Sequence, residues 1–144
     1  MQDKLSLLLA LLAGLRSAHL SHWTSHWQVK GQPYYGDHLL MDKLYNSLPE
    51  EIDSLAEKIV AEFGSESVEL TCQMNEMILQ IQEINKVSKD PLHRALCVEE
   101  FLQNLFCLIY DKLEGQMSLG LDDFIMGIAN NHETNLYLLK QRFR

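Results

Sequence analysis

Residues 37–64, DHLLMDKLYNSLPEEIDSLAEKIVAEFG, decide how the chain is read. Apolar residues recur at three- and four-residue intervals through Leu40, Leu44, Leu48, Ile52, Leu55, Ile59 and Phe63. That is the period of an amphipathic helix. Asp37 is placed to cap its start, and Gly64 to end it. Pro49 lies inside the run and removes one backbone donor. The flanking residues are strong helix formers, so the pattern predicts one helix with a bend at Pro49.

The polar residues of the same stretch form a strip. Asp42 follows His38 by four residues, and Glu57 follows Asp53 by four. Asp53 follows Asp42 by eleven, close to three full turns, so all four point to nearly one side. Carboxylates and imidazoles are ligands of iron and zinc. Eleven residues nevertheless span roughly 16 Å of helix axis, whereas a metal–ligand bond is only about 2 Å. His38/Asp42 and Asp53/Glu57 therefore cannot hold one ion within one chain. Either they are two half-sites, or a second antiparallel copy completes each one. A two-fold axis near the helix midpoint would set each pair against the other and give two identical sites.

Outward from this stretch the chain stays helical. Residues 3–29 keep the same periodicity with Gly14 as the one breaker, and Lys30-Gly31-Gln32-Pro33 is a turn. Residues 65–88 form a connector with a helical segment over about 68–84. Asp90-Pro91 opens a third helix as N-cap and first residue, running to Glu114 before Gly115. Gly120 and Asp122 precede a fourth. No strand pattern competes, and the expected fold is an all-α four-helix bundle with a short extra helix between the second and third bundle helices.

The bulk numbers agree with one domain spanning residues 1–144. Seven Gly and three Pro in 144 residues leave room for long elements and few turns. A net charge of −8 suits cation collection, and with no Lys/Arg-rich stretch at the start it disfavours DNA binding. Cys72, Cys97 and Cys107 have no CxxC spacing and read as reduced, buried cysteines of a cytoplasmic protein. The apolar run Leu7–Leu12 is too short to span a bilayer, so no membrane is expected.

At this point the chain resembles a known family. His26-Trp27-Gln28-Val29-Lys30-Gly31, then His38 and Asp42, then Asp53-Ser54-Leu55-Ala56-Glu57-Lys58-Ile59, are similar to the motifs of the Dps proteins, or mini-ferritins. The spacing matches over residues 19–60, and Asp122/Asp123 through Leu138 resemble the family's last helix. The resemblance implies a ferritin-like bundle in a hollow dodecamer. It implies oxidation of Fe(II), preferably by hydrogen peroxide, and storage of Fe(III) inside as protection against oxidative damage. His26, His38 and Asp42 of one subunit and Asp53 and Glu57 of its partner would form the ferroxidase site. Lys58 stands where the family often has Arg. Iron is the expected metal, with zinc as a possible substitute.

Other residues have competing readings. His22, one turn before His26, is either an auxiliary ligand or a hydrogen-bonded interface histidine. Trp23 and Trp27 either screen the site or pack. Tyr34 and Tyr35 read as loop packing, and His132 as structural. Asp111, Glu114, Asp122 and Asp123 are either lining for an entry pore or solvated helix ends. No Glu has a His three residues later, which disfavours a di-iron site inside one chain's bundle. The rival to a ferroxidase is a shell or DNA-protecting protein whose site holds zinc or is idle.

Overall fold

The computed structural model describes residues 3–144; Met1 and Gln2, part of the start read above for its lack of basic residues, lie outside them. Six α-helices follow in order: α1 Lys4–Gln28, α2 Tyr34–Asn46, α3 Leu48–Phe63, α4 Leu70–Val87, α5 Pro91–Leu113 and α6 Leu119–Arg142, with a 3-10 turn at Ser65–Val68. The bundle consists of α1, α2/α3, α5 and α6, and α4 packs across α1 and α5. The architecture is the ferritin-like all-α bundle expected from the sequence, with α4 as the extra helix between the second and third bundle helices.

α1 occupies the centre, in contact with α2, α3, α4 and α5. That position explains its composition. It is long and apolar enough to cross a membrane, yet Leu7, Leu8, Leu11, Leu12 and Leu15 are all buried inside the fold. A helix covered on most sides has no need of a polar face. Gly14 belongs to this packing and does not break the helix. A Cβ there would lie 3.0 Å from Leu105 Cδ1 and 3.3 Å from Leu102 Cδ2, so glycine lets α5 approach closely. On another side, Gln73 and Gln80 of α4 donate through Nε2 to the carbonyls of Leu9 and Ala10, each at 3.1 Å.

The helix starts are those that local chemistry dictates. Asp3 accepts from the Ser6 amide at 2.7 Å, Asp90 from His93 at 2.9 Å, and Ser118 from Leu121 at 3.2 Å. Each satisfies an N-terminal amide that has no partner within its helix. Gly64 and Gly115 follow α3 and α5 with φ of +92° and +76°, a backbone conformation open mainly to glycine.

Three expectations need correction. The single bent helix is two helices. Pro49 has no N–H for the Tyr45 carbonyl four residues back, and the Ser47 N–H takes that carbonyl instead. The ladder stops at Ser47, which keeps helical dihedrals (φ −81°, ψ −19°), and α3 begins afresh with Pro49 in its first turn. Asp37 does not cap. The helix starts earlier, at Tyr34, so Tyr34 and Tyr35 are helical and not loop residues. Asp37 is buried and receives a two-pronged hydrogen bond from Arg142 at 2.7 and 3.1 Å, which ties α6 to α2. The cysteines are free as expected, but Cys72 and Cys107 are exposed, because each falls on the outward side of its helix.

Candidate metal half-sites and a buried polar layer

The turn between α1 and α2 brings His26 and His38 face to face. Their rings stack with centroids 3.6 Å apart and planes 24° from parallel. His26 Nδ1 lies 2.8 Å from the His38 carbonyl, and His38 Nδ1 lies 2.9 Å from the His26 carbonyl. A carbonyl only accepts, so each Nδ1 carries a proton and donates it. The His26 carbonyl belongs to the last turn of α1, where no helical N–H is left to bind it. This reciprocal lock fixes both rings through Nδ1 and leaves Nε2 of each outside it. Metal-binding histidines are commonly oriented this way, with the second nitrogen held by a carbonyl or carboxylate.

Asp42, one turn beyond His38, is half-buried and accepts at 3.1 Å from the Tyr45 hydroxyl. Burial, and next that hydrogen bond, push the Tyr45 phenol up, so it stays a donor. The Tyr45 ring meets His26 edge-on at 5.3 Å and stacks on Trp23 at 5.7 Å. The structure therefore pairs two of the five sequence-predicted residues, His26 and His38, and places Asp42 one helical turn beyond His38, joined to His26 only through the Tyr45 ring.

Asp53 and Glu57 lie one turn apart on α3, and both are exposed. Asp53 borders a cleft of about 560 Å³ between α1, α3 and α4, with Arg16 and His19 beside it and Leu12, Leu20 and Ile52 on its walls. Burial, then His22, pushes the His19 imidazole down. Among the described residues of one chain, no three His, Cys, Asp or Glu side chains converge closely enough to hold a metal.

His22 turns away from this surface. It is fully buried and lies 2.9 Å from Glu99 through Nε2, so its side chain is engaged inside the bundle. There it joins a layer that sequence reading passed over. His132 Nδ1 lies 2.7 Å from the other Glu99 oxygen, and His132 Nε2 lies 2.8 Å from Glu51. The four residues come one each from α1, α3, α5 and α6, and all are buried. Carboxylates only accept, so His132 donates from both nitrogens and is an imidazolium. Against the cost of burial, its two carboxylates raise its pKa to about 10. Burial opposes ionisation of Glu99 as well, yet hydrogen bonds from His132 and His22 bring it down to about 2. His132 thus has the structural role expected of it. Lys58 points elsewhere, with its ammonium 5.6 Å from the centre of the Phe124 ring.

No sequence-family model matches the chain, and no curated protein matches it. Its structure, however, is that of the Dps proteins. It superposes on a DPS protein from Vibrio cholerae O1, described as a member of a broad superfamily of ferritin-like diiron-carboxylate proteins. The TM-score is 0.80 at 15% identity over 97% of this chain and 88% of that one. A point mutant of Mycobacterium smegmatis Dps1 matches with TM-score 0.76 at 18% identity over 97% and 94% of the two chains. A C-terminal deletion mutant of Mycobacterium smegmatis Dps matches with TM-score 0.77 at 18% identity over 99% and 100%. At such identities the shared property is the fold.

Proposed function

We propose that the chain is an iron-storing mini-ferritin that oxidises Fe(II), with hydrogen peroxide as oxidant, at sites shared between two subunits. The observation that carries this reading is the reciprocal His26/His38 lock, which holds both imidazoles through Nδ1, with Asp42 one helical turn beyond His38. Two imidazoles and a carboxylate suit Fe(II), but among the described residues of one chain they do not converge closely enough to hold an ion. Asp53 and Glu57 of a second copy, exposed on α3, supply the hard oxygen donors that favour the more highly charged Fe(III) product. The cleft beside Asp53 and the exposed Leu20, Leu70, Met74 and Ile78 give that copy an apolar surface to cover. The net charge of −8 favours cation collection.

The decisive test is Asp53→Ala combined with Glu57→Ala, assayed by stopped-flow oxidation of Fe(II) with peroxide. Fast oxidation should be lost while the particle persists; an unchanged rate would remove the site assignment. Light scattering of the wild-type protein should give a dodecamer, and a stable monomer would refute a shared site. Zinc bound at His26/His38 with no Fe(II) oxidation would instead support the shell reading.

A further inference from the structure

A guanidinium taken partly out of water is costly unless a negative charge meets it. Arg142 shows the usual solution, since it reaches both oxygens of Asp37 at 2.7 and 3.1 Å. Arg94 is partly buried as well, yet no ion pair among the described residues includes it. Burial pushes its pKa down, against the weaker pull of Asp90, whose carboxylate caps the His93 amide. A guanidinium nevertheless keeps its charge in a protein. Arg94 also lies in the first turn of α5, the end of a helix that favours negative charge over positive.

Neutral groups hold this cation in place. Its Nη2 donates to Ser25 Oγ at 2.7 Å and to Gln28 Oε1. Ser25 in turn donates to the Pro91 carbonyl at 3.1 Å. The guanidinium is thereby anchored to the last turn of α1, while its Nε is buried with no partner among the described residues. Arg94 lines a cleft of about 140 Å³ between α1, α4 and α5, together with Leu20, Ser21, Thr24, Ile81 and Asn85. Thr24 spends its hydroxyl proton on the Leu20 carbonyl at 2.7 Å. Arg94, the Ser21 hydroxyl and the Asn85 amide remain as donors, and among the described residues no Asp or Glu lines the cleft. A fixed guanidinium flanked by a hydroxyl and an amide, with no carboxylate beside it, has the chemistry of an oxyanion site.

We propose that this cleft binds a small oxyanion of the phosphate type, with Arg94 as its counter-charge and Ser21 and Asn85 as further donors. The anion supplies the negative charge that the fold withholds from Arg94, and the clamp on Nη2 means that little side-chain freedom is lost when it binds. A net charge of −8 repels anions in general, so uptake of phosphate by this protein requires a specific site. The site uses no metal and none of the residues of the two half-sites.

The assembled, metal-free protein is titrated with inorganic phosphate by calorimetry. Arg94→Gln should weaken the binding seen in wild type by roughly ten-fold or more. Arg94→Lys should weaken it nearly as much, because an ammonium cannot keep the clamp and face the anion together. Lys86→Gln, which removes an exposed lysine beside Asn85, should leave binding unchanged. Phosphate should also protect Arg94 of the wild-type protein from phenylglyoxal, read by peptide mapping, a measurement that needs no substitution. No phosphate uptake by wild type, or equal weakening by Lys86→Gln and Arg94→Gln, overturns the proposal. So does a smaller particle for Arg94→Gln when phosphate fails to protect Arg94, since a second copy would then supply the counter-charge. Short duplex DNA that displaces phosphate and itself protects Arg94 would make the ligand a nucleic-acid backbone and overturn a site for the free anion. No readout involves iron, so the ferroxidase reading can fail without touching this site.

Discussion

Two clusters of this molecule are built from the same side chains and have opposite chemistry. In the bundle interior, His22, Glu51, Glu99 and His132 are paired with one another. At the α1–α2 surface, His26 and His38 are paired with backbone carbonyls and not with carboxylates. That choice of partner decides everything else. A carboxylate on both nitrogens of His132 makes it a cation and removes its lone pairs, so the interior positive charge is a proton. A carbonyl on one nitrogen of each surface histidine keeps that ring out of a carboxylate pair, and Asp42 is engaged only by the Tyr45 hydroxyl. The presence of His and Glu in a bundle therefore says little about metal until the partners of each nitrogen are known.

The largest expected effect separates the two clusters by stability. Glu99→Leu strips the counter-charge from buried His132 and the hydrogen-bond partner from buried His22, and breaking a buried pair in this way costs about 3–5 kcal/mol. Urea unfolding should show that loss. Leucine at all four positions, His22, Glu51, Glu99 and His132, should recover most of it, since buried ion networks replaced whole by apolar groups are often neutral or better, within about 1–4 kcal/mol. His38→Ala, on the partly exposed surface, should cost at most about 1 kcal/mol and yet abolish metal binding measured by titration with Co(II). Equal costs for Glu99→Leu and His38→Ala would erase the distinction drawn between the clusters.

A second effect appears in pH. His132 has its pKa raised to about 10 in the fold, against 6.5 for the free side chain. Its contribution is complete below 6.5 and is lost progressively as pH climbs through 10. Glu99 is lowered from 4.5 to about 2, so its contribution is complete above 4.5 and lost as pH falls through 2. The network should therefore stabilise most between about pH 4.5 and 6.5. The difference in unfolding free energy between wild type and the all-leucine variant, measured from pH 4 to 10, should be flat in that window and decline on the alkaline side. A difference that grew with rising pH would show that His132 is not the buried cation.

The surface cluster was legible because its residues recur in a strip, and a strip of polar side chains on one helix face stands out by period. The interior layer was not, because each helix contributes a single titratable residue to a mostly apolar row. In α5 the row is Leu92, Ala95, Glu99, Leu102, Phe106, Ile109 and Leu113, and only Glu99 breaks it. In α6 His132 interrupts Leu121, Ile125, Ile128 and Leu139, together with Asn135. A search for lone titratable residues at core register would have found the layer, since such a residue is costly unless a partner waits on a facing helix. Helix existence and most boundaries followed from periodicity and caps. The fate of Asp37 did not, because its partner Arg142 lies 105 residues away.

The smallest effect concerns the segment that joins the half-sites. A proline in the middle of one continuous helix costs about 3 kcal/mol, and Pro49→Ala would then return that amount. In the structure Pro49 sits in the first turn of α3, where its missing N–H would have had no helical partner, and the Tyr45 carbonyl is already taken by Ser47. Pro49→Ala should therefore change stability by less than about 1 kcal/mol. A gain near 3 kcal/mol would mean that α2 and α3 are a strained single helix, and that the spacing between His38/Asp42 and Asp53/Glu57 is set by that strain. A near-zero change would mean that Ser47 absorbs the proline locally. The two carboxylates would then reach a partner's histidines from a helix that begins where the proline places it.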